Sequence, residues 1–157
     1  VLEQVIHLLD LFRFLGGEPK AVFSRQDNLF HRDVPDYTVE DVSATLVTFR
    51  NGGLGVITAT NAAIPGRWIH DYRIVAHRMT AEFQGPNQAT FTPTGEGGGA
   101  PIEIASDQDF RREQMLDFLR AIETGGATRT PIREGAKTLD LALAATRSAA
   151  EGREVAL

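Results

Sequence analysis

Glu3, His7 and Asp10 are the residues whose types and spacing most invite chemistry in this chain. Steps of four and three residues return to the same side of a helix, so the three form one narrow stripe on the segment 1–15. An imidazole titrates near working pH and can take or return a proton. Glu3, one turn earlier, can orient that ring or accept a ligand hydroxyl; as a first-turn acid it equally favours a helix N-terminus. Asp10 fits a structural role, bonding backbone or an arginine, better than a ligand contact. Taken alone, a helix histidine is first of all a group that hydrogen-bonds a neighbour. Oxygen and imidazole donors also suit a metal, yet three donors from one helix rarely converge. His31, His70 and His77 stand at spacings that form no recognised site, so no metal is expected. Trp68, the sole tryptophan, lies beside Arg67 and His70 after Pro65-Gly66. Its ring could pack on a sugar or cyclitol; packing at a sheet edge or subunit contact is the plainer reading.

The elements that must position these groups follow from periodicity. Leu2, Ile6, Leu9 and Phe12 give residues 1–15 a wide apolar face, and Gly16-Gly17 with Pro19 stops the helix. The period then shortens. Residues 21–30 fit a strand. Residues 42–50 alternate and are rich in Thr and Val, Asn51-Gly52-Gly53 signals a hairpin turn, and 54–61 forms the return. Residues 72–83 hold one or two strands, and 89–92 and 101–105 are short ones flanking the glycine-rich loop 95–100. Two helices follow. The first covers 110–124, with Phe110, Met115, Phe118, Leu119 and Ile122 near one face. The second covers 133–151, with Leu139, Leu143 and Ala144 expected inward and Gly152 as stop. Residues 155–157 fit a last edge strand. A helix, a run of strands and then two helices predict an α+β fold, taken as one domain over residues 1–157.

Composition narrows the function. The chain has 157 residues, 42% hydrophobic and 24% charged, with a formal net charge of −5. That suits a core-forming globular protein and argues against a nucleic-acid groove, which needs clustered Lys and Arg. The absence of cysteine excludes disulfides, thiolate catalysis and zinc ribbons, and fits a cytoplasmic protein. Apolar runs fall well short of the roughly 20 residues of a membrane helix. A start at Val1 inside a helix pattern leads us to expect a piece of a longer protein.

The segment Leu2-Glu3-Gln4-Val5-Ile6-His7-Leu8-Leu9-Asp10, followed by Gly16 and Glu18-Pro19, resembles the start of the substrate domain in the Gfo/Idh/MocA oxidoreductases. The strand ending in Phe49-Arg50-Asn51-Gly52-Gly53-Leu54-Gly55 resembles that family's hairpin. Phe110-Arg111 through Phe118, then Pro131, Gly135, Ala145, Ser148, Gly152 and Val155, are similar to its closing helix pair. Two departures stand out: Glu3 occupies a position often held by Asp, and His77-Arg78-Met79-Thr80 replaces a glycine turn.

The resemblance implies a mostly antiparallel open sheet covered by helices on one face, as in the C-terminal domain of glyceraldehyde-3-phosphate dehydrogenase. It implies NAD or NADP held mainly by an N-terminal Rossmann domain absent from this chain, and pairing of sheets into a homo-oligomer. It also implies a sugar, polyol or related hydroxy compound as substrate. His7 becomes the expected proton-transfer residue, with Glu3, Asp10 and Trp68 as substrate contacts. No glycine-rich turn here joins a strand to a helix, and Pro19-Lys20 is not the family's lysine motif, so this piece alone is expected to be inactive. The competing expectation is a non-catalytic α+β binding or dimerisation module.

Overall fold

A computed structural model describes residues 5–157. In chain order the elements are α1 (Ile6–Gly16), β1 (Pro19–Asp27), β2 (Val42–Phe49), β3 (Leu54–Thr60), β4 (Asp71–Ala76), β5 (Met79–Gln84), β6 (Gln88–Pro93), β7 (Ile102–Ala105), α2 (Phe110–Thr124), α3 (Ile132–Glu151) and β8 (Val155–Ala156). The fold is α+β, as the pattern of elements predicts. The strands divide into two antiparallel four-stranded sheets, ordered β3-β2-β1-β8 and β4-β5-β6-β7. Each sheet belongs to its own compact unit. The first unit runs to Pro65 and resumes at Arg129–Leu157; the second is Gly66–Thr128.

In the first unit, strand alternation becomes a buried and an open face. Val22 and Ser24 on β1, Ser43, Thr45, Val47 and Phe49 on β2, and Ile57 on β3 are buried, because successive side chains point to opposite sides. Leu9 of α1 and Leu141, Ala142 and Ala145 of α3, none of them solvent-accessible, close over that face. Leu46, Leu54 and Val56 lie on the other face and are exposed.

The expected inward set of α3 needs correction. Ala144 is buried as expected, but Leu139 and Leu143 are 43% and 49% exposed, and Thr138, Leu141, Ala142, Ala145 and Ser148 are buried instead. Both sets repeat at helical spacing. The one that wins is mostly small, which lets the helix come close to the sheet, and it carries hydroxyls the core can use. Ser148 Oγ accepts the backbone N–H of Ser24 at 2.9 Å and donates to the carbonyl of Arg153 at 2.6 Å. The short β8 pairs only with Ala21 and Val22, so Ser148 serves the β1 backbone where that ladder stops. Among the described residues no buried side-chain nitrogen or oxygen lacks a partner.

The β2–β3 turn also anchors α1. Gly52 takes φ +89°, a conformation glycine adopts without penalty. Asn51 accepts the Gly53 N–H at 2.9 Å and donates to the Gly16 carbonyl at 2.8 Å, satisfying the end of the helix. Gly55 is required by space: a Cβ there would run into the ring of Phe12.

In the second unit, Tyr72, Ile74, Ala81, Phe83, Ala89, Phe91, Ile102 and Ile104 alternate onto one face of the sheet, as its strand register requires. Helix α2 is well capped: Asp109 accepts from the N–H groups of Arg111 and Arg112, and Gly125 closes it with φ +64°. Its expected apolar face, Phe110, Met115, Phe118, Leu119 and Ile122, is exposed. Among the described residues no helix is long and apolar enough to cross a membrane.

Candidate functional site

His7 lies in the first turn of α1 and is exposed. The opposite side of the helix is fixed by Leu9, which is fully buried, and by Arg13, which is 8% exposed. The imidazole is therefore carried on a rigid support and presented to solvent. Glu3 lies outside the described residues.

Asp10 is half-buried and turned toward α3. Its Oδ1 accepts the hydroxyl hydrogen of Thr138 at 2.6 Å and stands 4.0 Å from the Arg13 guanidinium. Arg13 donates to Thr138 Oγ1 and the Glu134 carbonyl, both at 2.9 Å, and to Glu134 Oε2 at 2.8 Å. Lys137 bridges Glu18 at 3.1 Å and Glu134 at 3.3 Å. Hydrogen bonds from Arg13 and then Lys137 hold the Glu134 carboxyl below its ordinary range, and Glu18 with Glu134 pushes Lys137 up. This network ties α1 to α3 and to the turn before β1. No hydrogen bond joins Asp10 to His7 among the described residues.

Trp68 is in the second unit and is 77% exposed. Its neighbour Arg67 helps line an open depression of about 630 Å³, with Asp71, Tyr72, Arg73, Glu82, Phe83 and Gln84. The Tyr72 ring stacks on Phe83 at 4.2 Å, and Phe83 meets Phe91 edge-on at 5.8 Å. Arg73 donates to Glu82 Oε1 at 3.0 and 2.5 Å. Burial raises the pKa of the Tyr72 phenol. Aromatic faces beside paired charges can take a ring that is apolar on its faces and hydroxylated at its edge.

The structure also assembles a group that spacing did not reveal. Asp41, 2% exposed, is the hub of the loop between β1 and β2. Its carboxylate accepts the backbone N–H groups of Leu29 at 2.8 Å, Phe30 at 2.7 Å and His31 at 3.0 Å, and the ring Nδ1 of His31 at 2.9 Å. Burial acts to raise the pKa of this carboxyl. The bonds from Leu29, the His31 ring and Phe30 outweigh it and hold the group at about 2. Tyr37 stacks on His31 with ring centres 4.7 Å apart, and Asn61 donates to the Tyr37 hydroxyl at 2.6 Å. The sequence signal for this dyad was only a histidine ten residues before an aspartate that opens a strand. Loop closure brings the two together, and no helical or strand period encodes it.

Residues 1–85 match the family of GFO/IDH/MocA C-terminal domains. Over 163 residues the chain is 26% identical to inositol 2-dehydrogenase of Rhizobium meliloti (strain 1021), covering 99% of this chain and 48% of that protein. It is 25% identical over 164 residues to myo-inositol 2-dehydrogenase of Thermotoga maritima, again covering 99% and 48%. The chain thus spans about half the length of the curated relatives it matches. A structure of levoglucosan dehydrogenase in complex with NADH and L-sorbose superposes with a TM-score of 0.86 at 19% identity, covering 98% of this chain and 48% of that one; at this identity the likeness concerns the fold. With the helix, the hairpin and the α+β fold in agreement with these matches, the chain belongs to the GFO/IDH/MocA C-terminal domain family.

Proposed function

We propose that this chain supplies the substrate side of an NAD- or NADP-dependent oxidoreductase acting on a sugar, polyol or related hydroxy compound, with His7 transferring the proton. The observation that carries the reading is the exposed imidazole at the start of a helix locked on its other side by Leu9 and Arg13. Oxidation of a carbinol carbon to a carbonyl removes a hydride and frees the hydroxyl proton; His7 takes that proton, and returns it in reduction. The inositol dehydrogenases that match nearly the whole chain motivate the substrate class. Glu3, four residues before His7 in the sequence, and Asp10, three residues after it, are the neighbouring acids. Asp10, already engaged by Thr138, acts by fixing α1. Trp68 and the aromatic depression beside it offer a surface for a hydroxylated ring.

The residues of this chain do not fit a dinucleotide cradle. The glycines at 95 and 97–99 connect two antiparallel strands, β6 and β7, where a pyrophosphate site needs a turn from strand into helix. We therefore assign the nicotinamide nucleotide, which supplies the hydride chemistry when bound, chiefly to sequence outside this chain, in a cytoplasmic protein. The exposed Leu46, Leu54 and Val56 on the open face of the first sheet support association of copies through that face.

The test is hydride transfer to NAD and NADP across a panel of polyols and sugars, in the full-length protein that carries this chain. His7→Ala should lower kcat by about 100-fold or more, the range for loss of a general acid–base group. Full activity in that variant would move the proton chemistry elsewhere. Sedimentation of the same protein at graded concentrations checks the association.

A further inference from the structure

The loop between β1 and β2 holds more than a loop needs. Asp41 takes three successive backbone N–H groups, from Leu29, Phe30 and His31, and its own N–H closes the segment on the Asp27 carbonyl at 3.0 Å. The imidazole of His31 is additional. An ionised carboxylate only accepts, so Nδ1 of His31 carries the hydrogen it gives to Asp41, and in the neutral ring Nε2 keeps its lone pair. One face of the ring is covered by Tyr37, which Asn61 holds in turn. The His31 side chain nevertheless remains 33% exposed. A histidine held in this orientation, with part of its side chain open to solvent, can meet a hydroxyl through Nε2.

Its position relates it to His7. Helices α1 and α3 run antiparallel, since Arg13 near the end of α1 meets Glu134 and Thr138 near the start of α3. Ser148, near the end of α3, reaches Ser24 near the end of β1. The C-terminal end of α1 sits at the β2–β3 turn through Asn51. The His7 end of α1 therefore points toward the other end of the sheet, where β1 ends and β3 reaches Asn61. That is the end from which the His31 loop projects.

Building on the polyol reading of His7, we propose that His31 is a second ligand-binding residue of the first unit. Its Nε2 accepts a hydrogen bond from a hydroxyl of the polyol remote from the reacting carbon, with Asp41 and Tyr37 as positioning residues.

The test uses the full-length protein and a polyol that it oxidises, comparing His31→Asn with His31→Gln. An asparagine amide reaches about as far as Nδ1 and keeps a donor for Asp41, but has nothing at the Nε2 position. Glutamine reaches farther and restores an acceptor there. We expect His31→Asn to raise KM about tenfold, the upper range for one neutral hydrogen bond, with kcat within about twofold, the pattern of lost uniform binding. His31→Gln should recover most of that loss, and both variants should melt near the parent. Unchanged KM in His31→Asn would overturn the proposal. So would equal KM losses in both variants accompanied by lower melting temperatures, which would make His31 a loop staple. If His7→Ala abolishes turnover while His31→Asn does nothing, the oxidoreductase reading stands and this one falls. If the intact protein oxidises no polyol, both fall.

Discussion

The two compact units use the same raw material differently. In the first, one sheet face and the inner sides of α1 and α3 bury each other, and nearly every buried apolar side chain belongs to it: Leu9, Val22, Val47, Ile57, Leu141 and Ala145 among them. In the second, Ala81 is the one buried apolar residue among those described, and most apolar residues of α2 stay exposed. Its order rests on hydrogen-bonded hairpins and on the aromatic stack of Tyr72, Phe83 and Phe91. The lesson is that an amphipathic pattern specifies a face without guaranteeing that anything covers it. Tight packing stabilises the first unit, where one misplaced methylene is felt.

The largest expected effect tests that contrast at its centre. Leu141→Ala, at a fully buried position on α3, should lower unfolding stability by about 3 kcal/mol through lost burial and the cavity left behind. Urea denaturation followed by circular dichroism measures it; a loss under about 1 kcal/mol would mean that the core of the first unit is far looser than its burial indicates.

A second effect is electrostatic and confined to the first unit. The folded pKa of Asp41 lies at about 2, below the ordinary 3.8. A carboxyl depressed by folding contributes its full stabilisation above the ordinary value, and that contribution fades as pH falls from about 3.8 toward 2. Glu134, also held low, acts with the same sign. Acid titration should destabilise the first unit across this window, and Asp41→Asn should flatten that dependence while lowering stability at neutral pH. An unaltered acid profile in the variant would show that other carboxyls control it.

The smallest effect is expected in the second unit. Phe118→Ser, on the exposed side of α2, should change stability by no more than about 0.5 kcal/mol. A loss near that of Leu141→Ala would break the comparison, since it would require α2 to be packed as tightly as α3.

Much of this protein was legible before folding. Alternation in residues 42–49 and the Asn51-Gly52-Gly53 turn define the β2–β3 hairpin. Gly17 and Gly152 close α1 and α3, and the exposed setting of His7 opposite the buried Leu9 follows from helical geometry. These signals are local, set by backbone preferences and periods that a short window contains. The order of elements, and with it the α+β class, follows from them.

Other features were decided only in three dimensions. Which stripe of α3 faced inward depended on the fit of small side chains and hydroxyls against β1, although the stripe with Leu139 and Leu143 is the more apolar in the sequence. Asp10 acquired its task from Thr138 and Arg13, the first of them 128 positions away. Asp41 and His31 became a dyad because a loop closed over three backbone N–H groups, and Tyr37 completed it through Asn61, 24 residues on. The division of eight strands into two sheets was likewise invisible locally, because each strand signals only that it pairs, while its partner is chosen by closure of the chain and competition for a shared core.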